Sequence, residues 1–256
     1  MYIAEVILNK KESENIYLLG IKVSKNILKK FEPGQFLKIR LNEKLDPLIP
    51  RPFSVHFIES NILYILYQVV GKGTKSLSKI KKGDFLEFWG PLGKPFPRLK
   101  DYILCAGGVG VAGFGYLLQK NKKDKKYLPR KIFYGAKTKN ELVRLDFFKK
   151  FHIPIEISTD DGSKGYRGFI TELLEKEIQK NPKTILACGP FEMLKKIAKI
   201  AEKFKVDAYL VMETFLACGT GFCKGCVVPL KKGGYLHLCI DGPTLLSEEI
   251  NLNGIY

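Results

Sequence analysis

An N-terminal antiparallel β-barrel, a parallel-sheet α/β domain and a small cysteine-bearing C-terminal domain make up the fold class this sequence predicts. Three observations predict it. Short β runs broken by Gly and Pro fill residues 1–99, strand and helix patterns alternate through residues 100–210, and four cysteines gather in residues 211–256. A length of 256 residues suits two cores and an appendage better than a single core.

The β runs come first: YIAEVIL, IYLLGIKV, QFLKIRL, PFSVHFI, ILYILYQVV and DFLEFWG, six strands whose joins include the turn signals Pro33-Gly34 and Lys82-Gly83-Asp84. Six such strands imply an antiparallel barrel. From about residue 100 the rhythm is YILCAG, a glycine loop, a helix from about Ala112, KIFYGA, a helix after Asn140, IPIEIST and a helix after Gly168. TILACG, a helix over FEMLKKIAKIAEKF and the strand AYLVME complete it. Such alternation builds a parallel sheet with helices on its faces. Thr138 and Glu141 have capping-box spacing, and Leu142, Leu145 and Phe148 give the second helix an apolar stripe. Met193, Ile197 and Ile200 repeat that stripe, read here as core packing.

The cysteines stand as Cys218-x4-Cys223-x2-Cys226-x12-Cys239. Three thiolates within nine residues, separated by Gly219, Gly221 and Gly225, let the backbone curl round a small inorganic core and aim N–H groups at its sulfurs, the pattern of a [2Fe-2S] cluster. Tetrahedral zinc is the rival reading, although zinc sites usually pair two Cys-x2-Cys knuckles and only Cys223 and Cys226 form one. One histidine, His237, cannot make a Rieske pair. Cys105 and Cys188 lie in apolar runs and read as free thiols of a chain without structural disulfides, which suits a reducing cytoplasm.

With 43 Lys+Arg against 26 Asp+Glu the net charge is +17. The lysines are scattered, and the one local run, Lys120 to Lys126, has no interleaved aromatics, so the charge speaks to association and solubility and not to nucleic-acid binding. No stretch approaches the ~18 apolar residues of a membrane span. The start, MYIAEVILNK, carries Glu5 inside its apolar run and reads as a first strand, not a signal peptide.

Gly107-Gly108-Val109-Gly110-Val111-Ala112-Gly113 follows a strand and opens a helix, which places Gly108 and Gly110 where a backbone approaches a dinucleotide pyrophosphate. An ordinary tight turn is the competing reading. The second strand ends Tyr134-Gly135-Ala136-Lys137 and lacks the carboxylate that usually reads the ribose. The third ends Thr159-Asp160-Asp161-Gly162, so Asp160 becomes the candidate ribose contact, favouring NAD over NADP, against a plain turn at Asp161-Gly162. Cys188, before Gly189 and Pro190, stands where ligands bind in open sheets; a buried packing cysteine is the alternative. In the first domain Arg51-Pro52-Phe53-Ser54 joins a permanent cation, a stiff turn, a flat ring and a hydroxyl. Gly71-Lys72-Gly73-Thr74 precedes Leu77 and Ile80 at a helix start, and the two tetrapeptides together suit a flavin and its phosphates.

RPFS, GKGT, GPLG at Gly90 to Gly93, GGVGVAG, TDDGS, ACGP, ACGTGFCKGC and CIDGP at Cys239 to Pro243 together resemble the ferredoxin-reductase family, within it the electron-transfer subunits of two-subunit NAD-linked dihydroorotate dehydrogenases. The resemblance spans nearly the whole chain. It implies FAD at Arg51, Pro52, Phe53, Ser54, Leu66, Tyr67, Gln68, Gly73 and Thr74, a [2Fe-2S] cluster on Cys218, Cys223, Cys226 and Cys239, and NAD at the second domain. It also implies a hetero-oligomer with an FMN-containing subunit that oxidises dihydroorotate in pyrimidine synthesis, electrons passing by way of cluster and FAD to NAD. The chain is not that subunit itself, because a (β/α)₈ barrel alone takes ~250 residues. Gly113 departs from the family, where proline is frequent. A sister subunit of a hydrogenase or a ferredoxin-linked transhydrogenase has the same layout, and a zinc-bearing interaction module or a nucleic-acid binder are the remaining classes.

Overall fold

The computed structural model describes residues 1–41 and 48–254. β1 (Tyr2–Lys11), β2 (Ile16–Lys22), β3 (Phe36–Leu41), β4 (Arg51–Ser54), β5 (Phe57–Glu59), β6 (Ile62–Gln68) and β7 (Phe85–Leu92) form one sheet in the order β4-β3-β7-β1-β2-β6-β5. Every pairing in it is antiparallel. Helices α1 (Lys25–Leu28) and α2 (Lys72–Leu77) fill two connections. β4 and β5 are opposite edges of this sheet although only Val55 and His56 separate them, so the sheet curls until its edges meet. The run PFSVHFI, expected as one strand, is therefore two. Its first half pairs with β3 and its second with β6, and the chain crosses the gap at the buried Val55 and His56, where the His56 N–H donates to Tyr64 O at 2.8 Å. Inward residues such as Leu19, Ile21, Leu37, Leu63, Leu86 and Phe88 fill the interior.

β8 (Tyr102–Gly107), β9 (Lys131–Ala136), β10 (Ile155–Thr159), β11 (Tyr166–Arg167), β12 (Thr184–Cys188) and β13 (Ala208–Val211) run parallel in the order β11-β10-β9-β8-β12-β13. The order reverses between β8 and β12, so their carboxyl ends flank a crevice. Helices α3 (Phe114–Asn121), α4 (Leu145–Lys149), α5 (Ile170–Lys180) and α6 (Phe191–Phe204) make the connections. α6 starts and stops where its sequence pattern does, burying Leu194, Ile197 and Ile200, each worth about 1.5–3 kcal/mol. Met193 is the exception in its stripe: it faces the crevice.

Two helices differ from expectation. α3 begins at Phe114 and not near Ala112, because Gly108–Gly113 forms a 3₁₀ turn. Thr138 caps only a 3₁₀ turn over Lys139–Glu141, and the left-handed Arg144 (φ 63°) delays α4 to Leu145. The buried Tyr134 hydroxyl lies 3.2 Å from Glu141 O and 3.4 Å from Val143 O, and this draws those carbonyls away from a continuing helix. Leu142, Leu145 and Phe148 are nonetheless all buried.

The last segment holds β14 (Val227–Pro229), β15 (Tyr235–His237), α7 (Leu238–Asp241) and β16 (Thr244–Leu246). β14 and β15 form a small antiparallel pair, while β16 joins the large sheet antiparallel to β13. Val228, Leu238 and the sulfur-bearing Cys226 and Cys239 share one core with α5 and α6. Lys94, just past β7, donates its N–H to Gly242 O at 2.6 Å, tying this segment to the barrel as well. Among the described residues no helix is long and apolar enough to cross a membrane.

Candidate functional site

On the barrel, β4 carries Arg51, Pro52, Phe53 and Ser54 toward the start of α2. The Arg51 guanidinium lies against Gly73, where a β-carbon would stand 2.9 Å from Arg51 Nε. Arg51, Phe53, Gly73, Ser76 and Leu77 line one recess, a cation facing a backbone that carries no side chain. That is a cradle for a phosphate group. The Thr74 hydroxyl is committed elsewhere: it accepts from Val70 N at 2.9 Å and Gly71 N at 3.1 Å, so toward an anion Thr74 has its backbone N–H to offer. Tyr67 is buried, its hydroxyl donating to Asn9 Oδ1 at 3.1 Å with the Phe53 ring 5.8 Å away edge-on, and burial pushes its phenol up. Leu66 is buried in the core shared with Val111 and Ala112, whereas Gln68 reaches the crevice. Ser54 packs by the helix start, 3.6 Å from where a β-carbon on Gly113 would be.

The crevice at the sheet's reversal point encloses about 670 Å³. Gly108 and Gly110 form one wall and Cys188 another. A β-carbon on Gly110 would lie 2.4 Å from Cys188 O, so only glycine lets the loop pass this close to the end of β12. Asp160 lies on the rim beside Glu141 and Lys137. Partial desolvation raises its carboxyl, Glu141 adds to that, and Lys137 opposes it. Asp161 does something different: it accepts from Ser163 N at 2.9 Å and Ser163 Oγ at 2.6 Å, which closes the turn and holds its carboxyl below the usual range. Asp161 thus closes the turn, while Asp160 is the aspartate that lines the crevice. Burial keeps the Cys188 thiol protonated, with Glu213 adding to the effect.

Sequence reasoning missed two crevice residues. Glu213 lines the crevice near Cys188, its carboxyl raised by desolvation, and Phe169 presents an exposed ring at the rim. Glu213 was findable by the argument used for Asp160, an acid just past the end of a parallel strand. Nothing in the sequence marked Phe169.

The four cysteines all lie on the third segment. Backbone N–H groups of Thr220 and Cys223 point at Cys218 Sγ, both at 3.4 Å; Gly221 N approaches Cys239 Sγ at 3.1 Å and Cys239 N approaches Cys226 Sγ at 3.4 Å. Amides aimed at sulfur favour thiolates, and those from Cys223 and Thr220 bring Cys218 down to about 5. Burial, first among the causes, pushes Cys239 up to about 12. Cys226 and Cys239 are buried, Cys218 is half-buried and Cys223 is exposed. Among the described residues no three Cys, His, Asp or Glu side chains stand together as ligands of one ion. The donor set, the N–H···S contacts and the loop's shape suit an iron–sulfur cluster. A third residue unmarked by sequence reasoning, Lys38 of β3, is almost fully buried beneath this loop and donates from Nζ to Ala217 O. Burial lowers its ammonium, against the opposing effect of Cys218, Cys223 and Cys239.

Residues 213–251 match the profile of the iron–sulfur cluster binding domain of dihydroorotate dehydrogenase B, and residues 104–199 that of the oxidoreductase NAD-binding domain. The chain is 40% identical over 256 residues to the dihydroorotate dehydrogenase B (NAD(+)) electron transfer subunit homolog of Aquifex aeolicus, covering 97% of this chain and 98% of that one. It is 36% identical to the electron transfer subunit of Clostridium acetobutylicum, over 96% and 95% of the two chains. A chain of an NADH-dependent reduced ferredoxin-NADP oxidoreductase, solved in work on flavin-based electron bifurcation, superposes with a TM-score of 0.86 at 28% identity, covering all of this chain and 92% of that one. A Neisseria gonorrhoeae ferredoxin NADP+ reductase with bound FAD and NADP shares the fold, with a TM-score of 0.64 at 18% identity over 79% of this chain and 91% of that one. The chain belongs to the family of dihydroorotate dehydrogenase B electron transfer subunits.

Proposed function

We propose that, as a member of that family, this chain passes electrons between NAD and a partner subunit that oxidises dihydroorotate, by way of FAD and a [2Fe-2S] cluster. The partner is an FMN-bearing catalytic subunit, the assembly a hetero-oligomer and the setting the cytoplasm. FAD sits with residues 1–99, NAD with 100–210 and the cluster with 211–256. The observation that carries the reading is the loop on which backbone N–H groups converge on cysteine sulfurs, seated on both the flavin-side barrel and the nucleotide-side sheet.

Bound FAD supplies the exchange of a hydride for single electrons, and the protein supplies position, order and potential. Arg51 and the Gly73 backbone hold its pyrophosphate. The N–H groups at Gly108 and Gly110 meet the pyrophosphate of the dinucleotide, and Asp160 accepts from its ribose. Cys188, its thiol pushed up by burial, and Glu213, its carboxyl raised by desolvation, line the crevice beside that site. Cys218, Cys223, Cys226 and Cys239 ligate the cluster, and the exposed Cys223 marks its outer side.

Anaerobically purified protein should show flavin absorbance and, once reduced, a paramagnetic di-iron signal, with NADH bleaching the flavin. Adding the dihydroorotate-oxidising subunit should give NADH–orotate turnover. Zinc with no acid-labile sulfide would end the cluster reading. A second reading, a subunit of a ferredoxin-linked transhydrogenase, is favoured by the TM-score of 0.86 to the NADH-dependent reduced ferredoxin-NADP oxidoreductase chain. Spectra typical of both cofactors without orotate turnover would select it.

A further inference from the structure

Lysine is almost never fully buried unless paired, yet Lys38 is only 3% exposed. It belongs to β3, whose alternate residues Leu37 and Ile39 enter the barrel core, while Phe36 turns the other way into the core containing Cys226 and Cys239. Lys38 follows Phe36. Its Nζ donates to the carbonyl of Ala217, next to Cys218 in sequence, and its methylene stem runs under Gly219, where a β-carbon would stand 2.8 Å from Lys38 Cδ. Gly219 has φ +79°, so the ligand loop bends sharply over the lysine at a position that has neither room nor conformational freedom for a side chain. Among the described residues no carboxylate pairs with Lys38; the ionisable groups around it are Cys218, Cys223 and Cys239. Its backbone, meanwhile, pairs opposite Pro52 of β4, within the RPFS segment.

We propose that Lys38 is the positioning residue of the cluster, fixing the ligand loop to the strand beside the flavin segment and supplying the buried positive charge against which the thiolate-ligated centre accepts an electron. A buried cation without a counter-charge is costly, and four thiolates on an iron pair provide that counter-charge. Reduction of a cluster held there would add one negative charge beside the ammonium, so the reduced form gains more from Lys38 than the oxidised form does. The strand paired with the flavin segment would thereby also tune the cluster's affinity for the electron. This inference rests on the cysteines being cluster ligands.

The test is a redox titration of the full-length, anaerobically purified holoprotein followed by paramagnetic resonance, with the FAD potential of the same sample as reference. Lys38→Met should shift the cluster's reduction equilibrium at least tenfold toward the oxidised form, 59 mV for one electron, while Lys38→Arg stays within threefold of the wild type. If Lys38→Met loses iron and Lys38→Arg keeps it, the pinning of the loop is supported directly. Lys38→Met and Lys38→Gln, both loaded and both at the wild-type potential, would overturn the inference. A wild-type sample with no di-iron signal would instead remove the reading beneath it.

Discussion

His56 shows how much one side chain can settle. It sits at the barrel's crossing point, fully buried, with Nδ1 2.8 Å from Ala112 O on the glycine turn and Nε2 facing Arg144 Nε at 3.4 Å. The ring is neutral, because burial, with Arg144 adding to it, brings its pKa down to about 3. The unfolded chain takes up a proton near 6.5 that the folded chain refuses until about 3, so this contribution to stability is complete above pH 6.5 and is lost as pH falls toward 3. The loss runs at about 1.4 kcal/mol per pH unit inside that window. His56→Asn keeps a donor for Ala112 O and does not titrate; its apparent urea midpoint should fall less between pH 6.5 and 4.5 than the wild type's, the difference corresponding to about 2–3 kcal/mol. Parallel acid losses would remove His56 from the account. Asp160, proposed above as the ribose contact, bears on a different property at the same scale. Its carboxylate and that of Glu141 share the crevice rim, where a 2′-phosphate would meet like charge. Asp160→Ser should narrow the NADH-over-NADPH preference at least tenfold, about 1.4 kcal/mol in relative binding, and an unchanged ratio would place ribose recognition elsewhere.

Among the elements, the glycine turn between β8 and α3 is the most constrained. Gly110→Ala sets a methyl 2.4 Å from Cys188 O and should destabilise the protein by about 1–3 kcal/mol while weakening NADH binding, as read by flavin bleaching. Gly113→Ala meets nothing closer than 3.6 Å at φ −66°, and should be neutral or stabilising by about 0.4–1 kcal/mol. Equal damage from both would mean that the turn needs flexibility and not clearance. The contrast also marks what the sequence could disclose. Periodicity gave α5, α6 and the alternation of strand with helix that makes a parallel sheet, because each follows from a local pattern of buried positions. It joined β4 to β5 and ran the Asn140 helix straight through, since the meeting of the barrel's edges at Val55–His56 and the hold of the Tyr134 hydroxyl on the Glu141 and Val143 carbonyls are tertiary contacts that no run of buried positions records. The cysteine spacing and the glycine turn were legible for the same reason: their geometry is written within a few residues. Lys38 was half-legible. A lysine in phase with Phe36 in an apolar strand signals a buried charge, but the loop it serves lies 179 residues away.

At the scale of the whole molecule, the three segments converge so that the cysteine loop rests on the barrel through Lys38 and Lys94 and on the large sheet through β16. The opposite side of the loop is left open. Phe222, next to the exposed ligand Cys223, is 92% exposed, and Phe215, three residues before Cys218, is 88% exposed. Large rings bare to water beside a redox ligand cost free energy in the isolated chain, and association with another subunit relieves it; rings of this kind commonly anchor protein interfaces. With Cys223 as a cluster ligand, as proposed above, this uncovered side is where electrons would pass between cluster and partner. Phe222→Ala should therefore weaken association with the dihydroorotate-oxidising subunit by about thirtyfold, the equivalent of about 2 kcal/mol, with the flavin and cluster spectra unchanged because the ring packs against little of its own chain. Phe85→Ala, which removes a 59% exposed ring at the far end of β7, supplies the control and should bind as the wild type does. If titration calorimetry gave the same affinity for both variants, docking would lie on another face, and the exposed edge of the cluster would no longer define the exit.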